Sequence, residues 1–190
     1  FINYATDLQP FFMGIIISVV MGMILTLPIS SAAIGIILGL SGIAGGAATA
    51  GCCAQMIGFA VISYRDNGIN GFLAQGLGTS MLQIPNIVKN PRIWIPPTLA
   101  SAITGPLATC LFKLKNLPAG SGMGTSGLVG PLLTWQAMEK DMASGVLTPV
   151  ALILEMILVY VILPGVLSYG IYEFMRKKGW IKDGDMKLEA

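Results

Sequence analysis

The sequence predicts an all-α polytopic membrane protein with about four to six membrane segments, two of them Gly/Pro-interrupted or re-entrant. Three observations carry this reading. Charged residues are only 11% of the chain and hydrophobic residues 54%, whereas a soluble domain carries about 25% charged residues; mean hydropathy is +0.77. The charges sit in a few islands, separated by long uncharged stretches. Glycine supplies 24 of 190 residues, about twice the usual share, as expected of closely packed and broken membrane helices. A soluble enzyme is excluded by the first figure, and a net charge of +2 offers no surface for nucleic acid. Histidine is absent, which removes the usual general base, phospho-carrier and metal ligand. Cys52, Cys53 and Cys110 match no metal spacing and read as small apolar packers. Neither a metal nor a cofactor is therefore expected.

A span needs about 20 apolar residues to cross about 30 Å of hydrocarbon. After Asp7 no charge occurs until Arg65, and this stretch holds two candidates. The first is 10–27, closed by Pro28. The second lies within 32–64, which at about 50 Å of helix is too long for one straight crossing. The run GIAGGAATAG is expected to break, tilt or kink it. A third span, 93–113, starts on Pro96 and Pro97, which suit a first helical turn. The fourth, 146–172, contains Pro164, a kink residue. Residues 67–88 and 116–138 are also uncharged but rich in Gly and Pro. Unpaired backbone cannot face lipid, so such segments line a cavity or sit within protein, as re-entrant loops or broken helices. Trp94, Trp135 and Trp180 fall near segment ends, where interfacial Trp is expected. Residues 1–175 thus form a transmembrane domain. Residues 176–190 form a charged tail, which Arg176, Lys177 and Lys178 place in the cytoplasm. The chain opens on Phe1 without an initiator Met or a signal peptide, as the C-terminal part of a longer chain would.

An internal repeat is the most informative feature. Residues 75–85 read QGLGTSMLQIP and residues 121–131 read SGMGTSGLVGP, sharing G-[LM]-G-T-S-x-L-x-x-P at an offset of 46. Glycine lets a ligand approach the backbone, and Thr and Ser cap helix starts. Each motif is therefore expected to open a short helix whose free N–H groups meet a polar ligand. Paired Gly/Pro-interrupted segments are the sequence pointer to a transporter's site. With one crossing between them, the two would approach from opposite sides as an inverted pair. Gly76, Gly78, Thr79, Ser80, Gly122, Gly124, Thr125 and Ser126 are the candidate solute-binding residues. The competing reading is that Gly-Thr-Ser only supports tight helix packing. Gln55 is a further candidate, as a hydrogen-bond partner of a hydroxylated solute or of a neighbouring helix. Glu155 stands within VALILEMILVYVIL, where a carboxylate is costly. It is read as a solute contact, a proton carrier or a structural bond to another helix. No nucleophile–base pair is present, so the chain is not expected to be catalytic alone.

Three stretches carry a family resemblance: AGSGMGTSGLVGPLLTW (119–135), GLSGIAGGAATAGCCAQMIGFAVISYRDNG (39–68) and FMRKKGWIKDGDMKLE (174–189). They resemble phosphotransferase-system enzyme IIC membrane proteins, in the perfringolysin-regulator-type branch. The resemblance implies a multi-pass permease of the bacterial inner membrane that binds a sugar within the bilayer. It also implies a homodimer, and a separate cytoplasmic IIB component that phosphorylates the sugar. Sugar-transporting branches place a Glu, and often a His, at the sugar; this chain has no His. Two alternatives stay open: a non-transporting regulator or sensor on the same scaffold, and a proton-coupled carrier of another solute.

Overall fold

The computed structural model describes residues 1–188. Among them the only sheet-type pairing is an isolated bridge between Gly42 and Asn116; the rest is helix and turn. In chain order the helices are α1 (Ile2–Leu8), α2 (Pro10–Thr26), α3 (Ser31–Ile37), α4 (Gly42–Ile62), α5 (Tyr64–Leu73), α6 (Ile84–Lys89) and α7 (Ile95–Pro106). They continue with α8 (Pro118–Ser121), α9 (Val129–Ala137), α10 (Glu139–Ala143), α11 (Pro149–Ile157) and α12 (Leu163–Lys177). Wide π turns extend α7 to Leu111 and join α11 to α12 across Leu158–Ile162. Each adjoins a proline (Pro106 and Pro164), whose missing N–H is thereby absorbed without breaking the helix.

Among the described residues two helices are long and apolar enough to cross a membrane, Gly42–Ile62 and the joined Pro149–Lys177. At 1.5 Å per residue the first covers about 31 Å, matching the hydrocarbon thickness. Their surroundings differ. Within the most apolar stretch, α4 is 94% buried inside the protein and the α11–α12 rod only 28%. The first is thus the central post and the second a peripheral one. Against α4 pack α2, α7 and α12. Their outer faces are apolar and exposed, with Ile16 and Val20 on α2, Leu99 and Ile103 on α7, and Leu154, Val161 and Val166 on the rod, as a lipid-facing surface is.

Residues 44–60 of α4 are all buried, and the reason is side-chain size. A Cβ on Gly51 would run into the Ser18 carbonyl of α2, and one on Gly46 into the Leu114 carbonyl. The stretch GIAGGAATAG therefore does not break the chain as the composition suggested. It lies inside one continuous helix, where small residues admit neighbouring backbones. The break comes earlier, between Ile37 and Gly42, at Gly39 (φ 61°) and Gly42 (φ 58°), conformations that suit glycine.

Contacts fix the directions. The pairs Thr26–Gln55 and Trp94–Gln55, together with the clusters of Tyr160 with Cys53 and of Tyr172 with Ile62, show α2, α4 and α11–α12 running one way. Helix α7 runs back. Charges consequently gather at two ends. One holds Arg65, Lys89, Arg92, Arg176, Lys177, Lys178, Lys182 and Lys187 against four described carboxylates. The other holds Lys113, Lys115 and Lys140 against Asp7, Glu139 and Asp141, with Lys115 paired to Asp141 at 2.8 Å.

Candidate functional site

The two uncharged, glycine-rich stretches fold as re-entrant hairpins from opposite ends. The first leaves the basic end through α5, kinks at Gly68 (φ 60°), reaches its tip in the π turn Ala74–Gly78, and returns through the 3₁₀ turn Ser80–Gln83 and α6. The second starts at the other end, where the Asn116 amide donates to the Gly42 carbonyl (3.1 Å). It runs through α8 to its tip at Gly124–Thr125 and returns through the 3₁₀ turn Ser126–Leu128 and α9. The antiparallel helix α7 lies between them in the chain, and the repeated motifs, entering from opposite ends, form an inverted pair.

Their tips touch. The Thr125 hydroxyl, 2% exposed, donates to the Gly76 carbonyl at 2.6 Å. Beside this contact lies a cavity of about 170 Å³, lined by Leu25, Ile29, Ser30, Ser31, Ala32, Met56, Gly78, Thr79, Met81, Gly122, Met123 and Ser126. Both motifs contribute. Met56 is six residues before the end of α4, about 9 Å along the helix axis, so the cavity lies within the thickness of the bundle and nearer its basic end. No lining residue is ionisable. Hydroxyls of Ser30, Ser31, Thr79 and Ser126 share the wall with three methionines.

The glycines of the two motifs act differently. A Cβ on Gly78 would meet nothing within 4 Å, so this residue leaves room in the cavity. In the second hairpin they allow close approach: a Cβ on Gly122 would strike the Ser31 backbone, and one on Gly124 (φ 53°) would come within 2.8 Å of the Cys52 carbonyl carbon. The Ser31 hydroxyl fastens this contact by donating to the Gly122 carbonyl at 2.6 Å. The Thr residues diverge likewise. Thr79 caps its turn, its oxygen accepting from the Met81 amide at 3.1 Å, which leaves its proton available. Thr125 makes no side-chain cap; its hydroxyl instead donates across to Gly76.

Ser80 and Gln55 stand behind the cavity, both fully buried. Gln55 Oε1 accepts from Trp94 Nε1 (3.0 Å) and Thr26 Oγ1 (3.2 Å), while its Nε2 donates to Thr98 Oγ1 (3.1 Å). Thr26 lies 2.9 Å from the Ser80 hydroxyl. With Thr26 donating to Gln55, Ser80 must donate to Thr26. Gln55 therefore ties α2, α4, α7 and the first hairpin together, and Trp94 points inward to it. Glu155, on α11, is not among the cavity residues, and its Oε2 is buried without a hydrogen-bond partner among the described residues. The α2–α3 turn, with Ser30 and Ser31, is the part of the wall that motif reading misses. Its only signal is the pair of serines after Pro28, which also reads as an ordinary N-cap.

A family model described as "Phosphotransferase system, EIIC" matches residues 1–188. No curated protein and no solved structure matches the chain.

Proposed function

Because the chain belongs to the phosphotransferase-system EIIC family, and is on that ground a membrane protein of that transport system, we propose that it is a permease subunit for a small neutral polyhydroxylated solute, a sugar of monosaccharide size. The observation behind this reading is the tip-to-tip meeting of the repeated motifs beside an uncharged cavity. The volume lies below the roughly 300–1,000 Å³ of sites for drug-sized ligands. Hydroxyls with protons to give, at Thr79 and Ser126, suit the oxygens of a sugar; the methionines suit its C–H faces. The Thr125–Gly76 hydrogen bond holds the two tips together, Gly124 seats the second tip against α4, and Ser80 and Gln55 position the first hairpin. The excess of Lys and Arg favours a cytoplasmic position for the basic end and the C-terminal tail, the side from which a phosphorylated IIB protein would reach an emerging sugar. A homodimer in the bacterial inner membrane completes the proposal.

The test is a thermal-shift screen of sugars and polyols on the purified protein in detergent. A ligand at a hundredfold excess over its dissociation constant adds about 2.7 kcal/mol to stability. Thr79→Val and Ser126→Ala should each weaken the response of the best sugar by about tenfold in affinity, with little change in the ligand-free melting temperature. A flat panel on folded protein, or a hit untouched by both substitutions, would overturn the assignment.

One observation favours a second reading, a proton-coupled carrier: the buried, unpartnered Oε2 of Glu155 is an atom on which a proton can ride. Glu155→Gln should then abolish uptake driven by a pH gradient. Uptake that ignores the gradient and survives the substitution removes this reading.

A further inference from the structure

The C-terminal segment is strapped across the base of the first hairpin. Asp66 and Asn67 on the descending limb bracket it from one side. Asp66 accepts from the Gly184 and Met186 amides (3.0 and 3.2 Å), and Asn67 accepts from the Leu188 amide (2.7 Å) and donates to the Met186 carbonyl (2.8 Å). From the ascending limb, Gln83 donates to the same carbonyl (3.0 Å) and Asn86 to that of Lys187 (3.0 Å). Farther along, Asn90 donates to Asp185 (2.8 Å). Between the limbs Met186 is fully buried in a cluster with Phe59, Ile87 and Ile181. Arg176 holds the segment's start in a two-pronged pair with Asp183 (2.9 and 2.8 Å).

Concave spaces lie on either side of this strap. Toward the basic end is one of about 540 Å³, which includes Lys89, Asn90 and Asp185. Deeper is one of about 310 Å³, lined by Met81, Leu82, Pro85, Asn86, Lys187 and Leu188. Asn86, Lys187 and Leu188 border both, and Met81 borders both the deeper space and the central cavity. Three spaces thus neighbour one another between the basic surface and the site, the first two sharing the strap and the last two sharing Met81.

We propose that residues 180–188 are a gate: while bracketed, they close a route from the basic end to the cavity, and their release opens it past Met81. The strap also joins the hairpin's two limbs, so its release frees the tip that carries Gly78 and Thr79 as well as the passage. This inference rests on the two-hairpin cavity and not on the identity of the solute.

The test is one of access. Cys110 is the exposed cysteine, and Cys52 and Cys53 are buried. In the full chain with Cys110→Ala, Ser126→Cys serves as reporter for a membrane-impermeant maleimide, applied to vesicles of either orientation. Three changes loosen the strap to different degrees: Asn86→Ala, the pair Asp66→Ala with Asn67→Ala, and truncation after Gly179. The expected result is labelling that rises in that order, at least tenfold for the truncation, from the basic side only. Unchanged labelling in the truncated protein would overturn the gate. So would acceleration from both sides alike, which signals general loosening. Should the truncation fail to fold, the two milder variants decide by the same criterion. A flat sugar panel leaves this result untouched, so the two proposals fail separately.

Discussion

Replacing Gly51 by alanine is expected to prevent the protein from folding. Its new Cβ would overlap the Ser18 carbonyl, carbon and Cα of α2, and none of these is the yielding end of a side chain. Ordinary overpacking costs about 1–3 kcal/mol because side chains adjust. Here two backbones must separate, along a contact that also includes Gly22, whose own Cβ would come within 2.7 Å of the Gly51 carbonyl. The loss should exceed that range. Size-exclusion in mild detergent, with near-UV circular dichroism, would show aggregated or absent Gly51→Ala protein. Gly170→Ala is the matched control. It lies in α12 with nothing within 4 Å of its Cβ, and alanine there should be neutral or stabilise by up to about 1 kcal/mol through helix propensity. Indistinguishable melting of the two variants would refute the packing account.

Gln55→Leu is expected to be the second most damaging change, at about 2–3 kcal/mol. The Trp94 N–H would lose its acceptor, and a buried orphaned donor costs about 1–3 kcal/mol. Thr26 and Thr98 each lose a partner as well. Hydrogen bonds between membrane helices average only about 0.6 kcal/mol in double-mutant cycles, so the size of the effect rests on one residue serving three partners. The substitution should do more than lower stability. With Thr26 released, Ser80 loses its tie, the first hairpin shifts, and affinity for the best sugar should fall by more than the stability loss accounts for. Gln55→Glu keeps the shared acceptor oxygen and should restore part of that affinity. Wild-type melting and wild-type sugar response in Gln55→Leu would show that the network positions nothing.

Much of this architecture is readable from residue order, for reasons of charge and backbone chemistry. Apolar stretches at 10–27, 93–113 and 146–172, the last broken only by Glu155, became helices at Pro10–Thr26, Ile95–Leu111 and Pro149–Lys177, because charge is what a crossing largely excludes. The repeat at 76–85 and 122–131 became two opposed hairpins, because Gly and Pro prevent a straight crossing and the missing charges prevent a solvated loop. Where residues have two uses, the reading failed. Small residues break helices in water but join them in a bundle, so GIAGGAATAG pointed to a break that lies at Gly39–Gly42 instead. Glutamine bonds solute and protein equally well, and only geometry shows Gln55 filled by Trp94, Thr26 and Thr98. The tail looked like a solvated segment because of Arg176–Lys178, Lys182 and Lys187. Its docking is carried mainly by its own backbone amides and carbonyls, held by Asp66, Asn67, Gln83 and Asn86, and backbone recognition leaves no sequence pattern.

The wall of the central cavity has an electrical consequence. None of its residues is ionisable. Carrying one elementary charge through a potential of 100 mV takes about 2.3 kcal/mol, yet a neutral solute in this site carries none. Membrane voltage would do no work on the loaded site, and reorienting it would pass no current. Accumulation would then depend on the solute's own gradient and on whatever chemistry removes it on the far side. Phosphorylation of the proposed sugar would be such a step: it would add charge on the far side, and a charged product would find no counter-charge in the cavity wall to draw it back.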